Sequence, residues 1–178
     1  ISNNKIKVEI ITGAGEKSFV AGADIIEMSK MNKEMALSFS SKGHELMNLI
    51  QSSKKPIISA INGFALGGGC ELALSSHIRF ASDKAVFGQP EVGLGLIAGF
   101  GGTQRLSKII GYSNAVELLI RGNKIKADEA YRIGLINAIT EECVLEYSIR
   151  VAEEISSKSI EAIKKTLYLI NNDYLKNI

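Results

Sequence analysis

Pro56-Ile57-Ile58-Ser59-Ala60-Ile61, followed by Asn62-Gly63-Phe64 and then Ala65-Leu66-Gly67-Gly68-Gly69-Cys70-Glu71-Leu72-Ala73-Leu74, is the stretch on which the reading of this chain turns. The first six residues form an apolar run of the length expected of a buried strand. Three glycines come next, then the helix formers Glu71-Leu72-Ala73-Leu74. A strand, a glycine turn and a helix start together aim bare backbone N–H groups at whatever lies beyond the helix N-terminus. A glycine has no Cβ and lets a ligand approach the backbone closely. Glu71, one turn into the helix, would sit beside anything those N–H groups hold. An oxyanion cradle next to a carboxylate is one reading of this stretch; a packing turn is the other.

Composition sets the frame. The 178 residues suffice for one domain with a sizeable core, and 46% hydrophobic with 22% charged residues is an ordinary globular mix. A formal net charge of +2 gives no bulk argument for a nucleic-acid partner. Two cysteines, Cys70 and Cys143, and two histidines build neither a disulfide framework nor a zinc site, so we expect a reducing, cytoplasmic setting and no metal. No apolar run reaches the roughly 18 residues of a membrane span. The chain opens on Ile1 and closes on Ile178, and we expect it to be truncated at both ends.

Working outward, Lys5 to Thr12 reads as a strand and Gly13 to Ser18 as a plain turn, since neither a phosphate-binding loop nor a dinucleotide fingerprint is completed there. Asp24 is placed to cap a helical turn over Ile25-Ile26-Glu27-Met28, with the small residues before it offering a second set of exposed N–H groups. Asn32 to Gln51 carries Met35, Phe39, Leu46, Met47 and Ile50 at helical spacing, which predicts an amphipathic helix with its methionines in the core. Downstream, His77–Ser82 and Ala85–Gly88 alternate like strands, and Asp83-Lys84 between them suggests a hairpin. Pro90 suits a first helical position, which puts Glu91 in a first turn. A glycine-rich loop over 97–103 precedes a helix ending near Gly111. Helices over 112–121 and 126–132, a strand over 135–139 and further helices from Glu141 complete an α/β pattern.

Glu71 and Glu91 thus stand at the edges of two glycine-rich turns. Two carboxylates facing one pocket can divide acid and base roles, because burial and mutual repulsion separate their pKa values. Two surface glutamates stabilised by helix N-termini would look the same in sequence.

Taken in order, Ser18-Phe19-Val20-Ala21-Gly22-Ala23-Asp24-Ile25, Asn62 to Ala73, Phe87-Gly88-Gln89-Pro90-Glu91-Val92-Gly93-Leu94-Gly95 and Gly99-Phe100-Gly101-Gly102-Thr103-Gln104-Arg105-Leu106 resemble the successive motifs of the crotonase (enoyl-CoA hydratase/isomerase) superfamily, nearest its bacterial short-chain hydratase, or 3-hydroxybutyryl-CoA dehydratase, type. The resemblance implies a crotonase-like α/β fold, a spiral of ββα units forming two sheets, with residues 1–140 as the core domain and 141–178 as an incomplete C-terminal helical segment. It implies an acyl-CoA thioester as substrate, coenzyme A being part of that substrate and no separate cofactor being needed. It also implies assembly as a homo-oligomer, a trimer or hexamer.

By the same resemblance, Glu71 and Glu91 are the catalytic pair and the N–H groups of Ala23 and Gly68 form the oxyanion hole. Gly99 positions the water, and Ala21, Ala23, Asp24, Ile25, Ile26 and Gly68 run along the CoA and acyl parts. Met28 is expected to help set acyl length. Gly67 and Gly69 are expected mainly to allow close backbone approach, so that Gly69→Ala costs less turnover than Gly68→Pro. Ala98, where many relatives carry proline, and His77, where aspartate is usual, are departures; His77 is read as structural. The expected reaction is reversible hydration of a short-chain 2-trans-enoyl-CoA. The alternatives are an isomerase or hydrolase on the same fold, and a non-catalytic or RNA-binding protein.

Overall fold

In the computed structural model, which describes residues 6–175, the strands fall into two four-stranded sheets. The first sheet holds β1 (Glu9–Thr12), β3 (Ile57–Ile61), β5 (Ile78–Ser82) and β8 (Ala138–Thr140), in the order β1-β3-β5-β8. The second holds β2 (Ser18–Val20), β4 (Phe64–Leu66), β6 (Val86–Gly88) and β7 (Lys124–Lys126), in the order β2-β4-β6-β7. From β1 to β6 the chain visits the sheets alternately, so each circuit there lays one strand on each; β7 then stays in the second sheet and β8 returns to the first. All neighbours in the first sheet are parallel, with Ile10 beside Ile58, Ile58 beside Ile78 and Phe80 beside Ala138. In the second sheet β2, β4 and β6 are parallel, and β7 closes the edge antiparallel. This is the spiral of ββα units that the sequence motifs imply.

Among the described residues eight α-helices complete the circuits: α1 (Ile25–Met28), α2 (Lys33–Gln51), α3 (Gly68–Ser75), α4 (Gly102–Ile110), α5 (Tyr112–Arg121), α6 (Ala127–Arg132), α7 (Val144–Ser156) and α8 (Ile160–Leu175). The quoted apolar run is buried along its whole length as β3, as a strand covered on both faces must be. The main core lies between the sheets and α3 to α6, around Phe19, Ile61, Phe87, Leu106 and Leu135. A second cluster, Ile58, Ala60, Phe80 and Val144, joins the first sheet to α7, where the Tyr147 ring meets Phe80 edge-on at 4.9 Å. The first of the helices expected from Glu141 onward, α7, therefore seals a sheet.

Two expectations are corrected. The Asp83-Lys84 turn does not make a hairpin: β5 and β6 belong to different sheets. A two-residue hairpin turn needs positive φ at its centre, and no non-glycine residue here has it; instead Ala85 N–H returns to Ser82 O at 3.0 Å and the chain crosses over. On α2, Met47 and Ile50 are buried, but Met35 is 52% and Leu46 49% exposed. Helical spacing marks a face without saying how far along the helix a partner layer reaches. His77 is structural as read: its Nδ1 accepts the Ile57 N–H at 3.0 Å, tying the start of β3 to that of β5. Burial, foremost, and Arg79 hold its pKa below the ordinary histidine value. Among the described residues no helix is long and apolar enough to cross a membrane.

Candidate active site

Three parallel neighbours, β2, β4 and β6, end on the same edge of the second sheet, and each hands the chain to a segment of the site. Ligands in parallel α/β sheets bind beyond the carboxyl ends of the strands, where loops and helix N-termini converge. After β2 comes the turn holding Ala21 and Ala23. After β4 come Gly67, Gly68 and α3 with Glu71. After β6 come Gln89 and a 3₁₀ helix, Pro90–Leu94, with Pro90 in its first turn and Glu91 beside it. The two strands that set this geometry, β2 and β4, have only three residues each and carry no legible alternation.

These segments enclose a cavity of about 570 Å³. Ala23, Gly68, Glu71, Glu91 and Gly99 all line it, and so do Ala21, Ile25 and Met28. Two of the residues assigned to substrate by resemblance lie elsewhere. Asp24 spends its carboxylate on capping α1, accepting from Ile26 N–H at 2.8 Å and Glu27 N–H at 3.1 Å. Ile26 points away from the cavity and is exposed.

Gly68 is the first residue of α3, so its N–H has no partner within the helix and adds to the positive end of the helix dipole. Gly67 before it takes φ 53° and ψ −124°, a backbone state that favours glycine, and a Cβ there would also lie 3.0 Å from Glu91 Oε1. Gly69 serves a different purpose. A Cβ on it would stand 1.9 Å from Val20 O on β2. It allows close approach, but the approach is that of another strand, so an alanine there would force the backbone of β2 or α3 to shift.

Glu71 is 1% exposed. Its Oε1 accepts two backbone N–H bonds, from Phe100 at 2.8 Å and Gly102 at 2.7 Å, which leaves Oε2 outside that pair. Burial raises its pKa; the N–H groups of Gly102 and Phe100, and then the charges of His44 and Arg105, pull it back. Glu91 differs. Burial raises its pKa too, its own backbone N–H opposes this, and the neighbouring charge of Glu71 pushes it further up. With the Gln89 amide oriented by its surroundings, the buried Gln89 nitrogen donates to Glu91 Oε1 at 2.9 Å and Oε2 at 3.0 Å. Gly99, expected at the water, lines the cavity next to Phe100, and its carbonyl accepts the Ser40 hydroxyl from α2 at 2.7 Å.

Sequence reading assigned no role to Phe100, Arg105, Gln89 or Gly43. The Phe100 ring is wedged between two helix glycines: a Cβ on Gly43 of α2 would come within 2.0 Å of it, and one on Gly68 within 3.0 Å. Phe39 packs against the same ring at 5.3 Å between centroids. A glycine inside an exposed helix such as α2 costs about 1 kcal/mol against alanine. Gly43 was the visible signal of a close contact.

Comparison with known proteins agrees with this geometry. The chain matches the enoyl-CoA hydratase/isomerase family over residues 1–176. A short-chain-enoyl-CoA hydratase of Clostridium acetobutylicum is 48% identical over 171 residues, covering 96% of this chain and 66% of the relative. A crotonyl-CoA hydratase of Syntrophomonas wolfei is 48% identical over 160 residues, covering 89% of this chain and 62% of the relative. The chain thus spans about two thirds of the length of these curated relatives. A crystal structure of an enoyl-CoA hydratase from Bacillus anthracis superposes with a TM-score of 0.93 at 40% identity, covering 96% of this chain and 67% of that one. By sequence and by fold, this chain belongs to the enoyl-CoA hydratase/isomerase family.

Proposed function

We propose that the protein is an enoyl-CoA hydratase that reversibly adds water to short-chain 2-trans-enoyl-CoA thioesters. One observation carries the reading: two carboxylates, Glu71 and Glu91, line a single apolar-walled cavity beside a helix N-terminus. Burial raises the pKa of both; at Glu71 the N–H groups of Gly102 and Phe100 and the charges of His44 and Arg105 offset part of the rise, whereas at Glu91 the charge of Glu71 adds to it. Two carboxyls held in such different surroundings suit one base and one acid.

In this mechanism the thioester oxygen lies between the N–H groups of Ala23 and Gly68. As water adds at C3, charge gathers on that oxygen, and each donor aimed at it contributes about 3 kcal/mol to the transition state. Glu71 orients the water with the help of the Gly99 N–H and takes its proton, while Glu91 gives a proton to C2. Exchange with solvent returns the pair to its starting protonation. Dehydration runs the same steps backward. The names of the two curated relatives, a short-chain-enoyl-CoA and a crotonyl-CoA hydratase, support a short acyl chain.

The test is loss of the conjugated-enoyl absorbance of crotonyl-CoA. Wild-type protein should hydrate it, and Glu71→Gln and Glu91→Gln should each lower kcat about 10²–10⁴-fold. Folded glutamine variants as active as wild type would remove both residues from the chemistry.

A further inference from the structure

Arg105 lies on α4, outside the cavity lining, yet it is 4% exposed and reaches across to α2 and back to the loop that holds Glu71. Its Nε donates to Gln51 Oε1 at 2.8 Å and its Nη2 to Asn48 Oδ1 at 2.7 Å. Its Nη1 donates to the Phe100 carbonyl at 2.8 Å. Asn48 and Gln51 lie within one turn on a single face of α2, and His44, one turn earlier on that face, completes a polar stripe. The guanidinium is planar, and three donors in a fixed fork leave it little freedom to turn.

The peptide units on either side of Phe100 therefore do opposite jobs. The Phe100 carbonyl is tied to Arg105, and the Phe100 N–H is tied to Glu71 Oε1. The next turn of chain sends the Gly102 N–H to the same oxygen. Gly101 between them has φ 97°, and a Cβ on it would stand 2.3 Å from Arg105 Nη1 and 3.4 Å from His44 Cε1. Glycine at 101 is what lets the guanidinium sit against the turn. Polar side chains on α2 thus fix the arginine, the arginine fixes the turn, and the turn fixes the carboxylate.

We propose that Arg105 is a positioning residue for the reaction: held by Asn48 and Gln51, it sets the 100–102 turn so that two N–H groups converge on Glu71 Oε1 and leave Oε2 to the water. The inference rests on the reading of Glu71 as the water-activating carboxylate. It makes α2 part of the active-site machinery, although neither Asn48 nor Gln51 lines the cavity.

A purely structural role and a positioning role separate in kinetics. If the turn loosens, Glu71 loses N–H bonds that favour its ionised form, and in Arg105→Gln it also loses a nearby positive charge. Other groups that bear on the pair are His44 on α2, Glu91 on the 3₁₀ helix and the Cys70 thiol next in sequence. The experiment measures crotonyl-CoA hydration against pH for wild type, Arg105→Gln, Arg105→Lys, Asn48→Ala and Glu71→Gln, with circular dichroism to select folded variants.

Arg105→Gln should lower kcat about 10–100-fold with KM within about threefold, and move the acid limb of kcat/KM to higher pH. Arg105→Lys keeps the charge but not the fork, and should recover the acid limb more than it recovers kcat. Asn48→Ala, on the exposed side of α2, should show the same signs in smaller size, and it keeps the test open should the arginine variants fail to fold. Folded Arg105 or Asn48 variants with unchanged kcat and acid limb, alongside an inactive Glu71→Gln, would overturn the positioning role alone. A fully active Glu71→Gln would overturn the underlying reading.

Discussion

The floor and the rim of the cavity are built by different rules. The floor is β4, α3 and the turn at 100–102: Glu71 and Cys70 are sealed there, and Glu71 is held by backbone donors that no rotamer change can withdraw. The rim is the 3₁₀ helix and the segment after it: Glu91 is half-buried, its partner is a side-chain amide, and Ile97 is 77% exposed. A site for the proposed hydration, which takes one proton from water and gives one to a substrate carbon, has reason to differ in this way. Glu71, proposed to hold the water, is fixed by main chain. Glu91, proposed to serve the carbon, sits on a short 3₁₀ element.

The hardest way to break the comparison is to strike the floor. Gly69→Ala places a Cβ 1.9 Å from Val20 O, a backbone atom that cannot swing aside, and should cost more than about 4 kcal/mol or prevent folding altogether. Gly68→Pro sits one residue earlier, at a first helical position that accepts proline. It should fold, and lose about 10²–10³ in kcat through its missing N–H. Urea unfolding and crotonyl-CoA turnover on the pair separate packing from chemistry, and a stable Gly69→Ala would mean that the floor is softer than its geometry states.

A middle-sized effect should come from the rim. A carboxyl whose folded pKa is raised holds its proton where the unfolded chain has released it, so the folded state loses stability as pH rises from the ordinary carboxylate range to the raised value. Removing that charge should recover the loss. Glu91→Gln should therefore melt above wild type at pH 7.5, by an amount that solvent screening at this half-buried position keeps modest, and close to wild type at pH 4. Equal melting temperatures at pH 7.5 would show that Glu91 carries no electrostatic cost in the folded state.

The smallest signal is chemical. Burial, with the charges of Glu71 and Glu91 behind it, pushes the Cys70 thiol up to about 12, whereas Cys143 is exposed. A thiol-alkylating reagent at pH 8 should label Cys143 in seconds to minutes and leave Cys70 unmodified until the protein unfolds. Labelling of Cys70 in the folded enzyme would reveal that the floor opens.

How much of this was legible in the sequence follows from the same contrast. The strand Ile57–Ile61 and the helix cap at Asp24 were readable because each is settled by its own residues. The two glutamates were readable because they stand in long motifs. The strands β2, β4 and β7 were not, since three residues cannot show a period of two. The false hairpin at Asp83-Lys84 came from the same limit: local alternation identifies a strand but not the sheet it joins. The roles of Phe100, Arg105 and Gly43 depend on α2 lying against the 100–105 segment, a contact between stretches about 57 residues apart that no local pattern encodes.

The alternating path of the chain through its two sheets has an evolutionary consequence. Ala23, Gly68 and Glu91 follow adjacent strands, so the strand ends that lead to them stand one hydrogen-bonded spacing apart, about 4.8 Å each. The circuit from Val20 to Phe64 uses roughly twice as many residues as the circuit from Leu66 to Val86, yet both advance the site by one strand. Chain length is therefore decoupled from catalytic distance. A lineage can lengthen or shorten a circuit on its outer side, reshaping what the cavity admits, while Ala23, Gly68 and Glu91 keep their places.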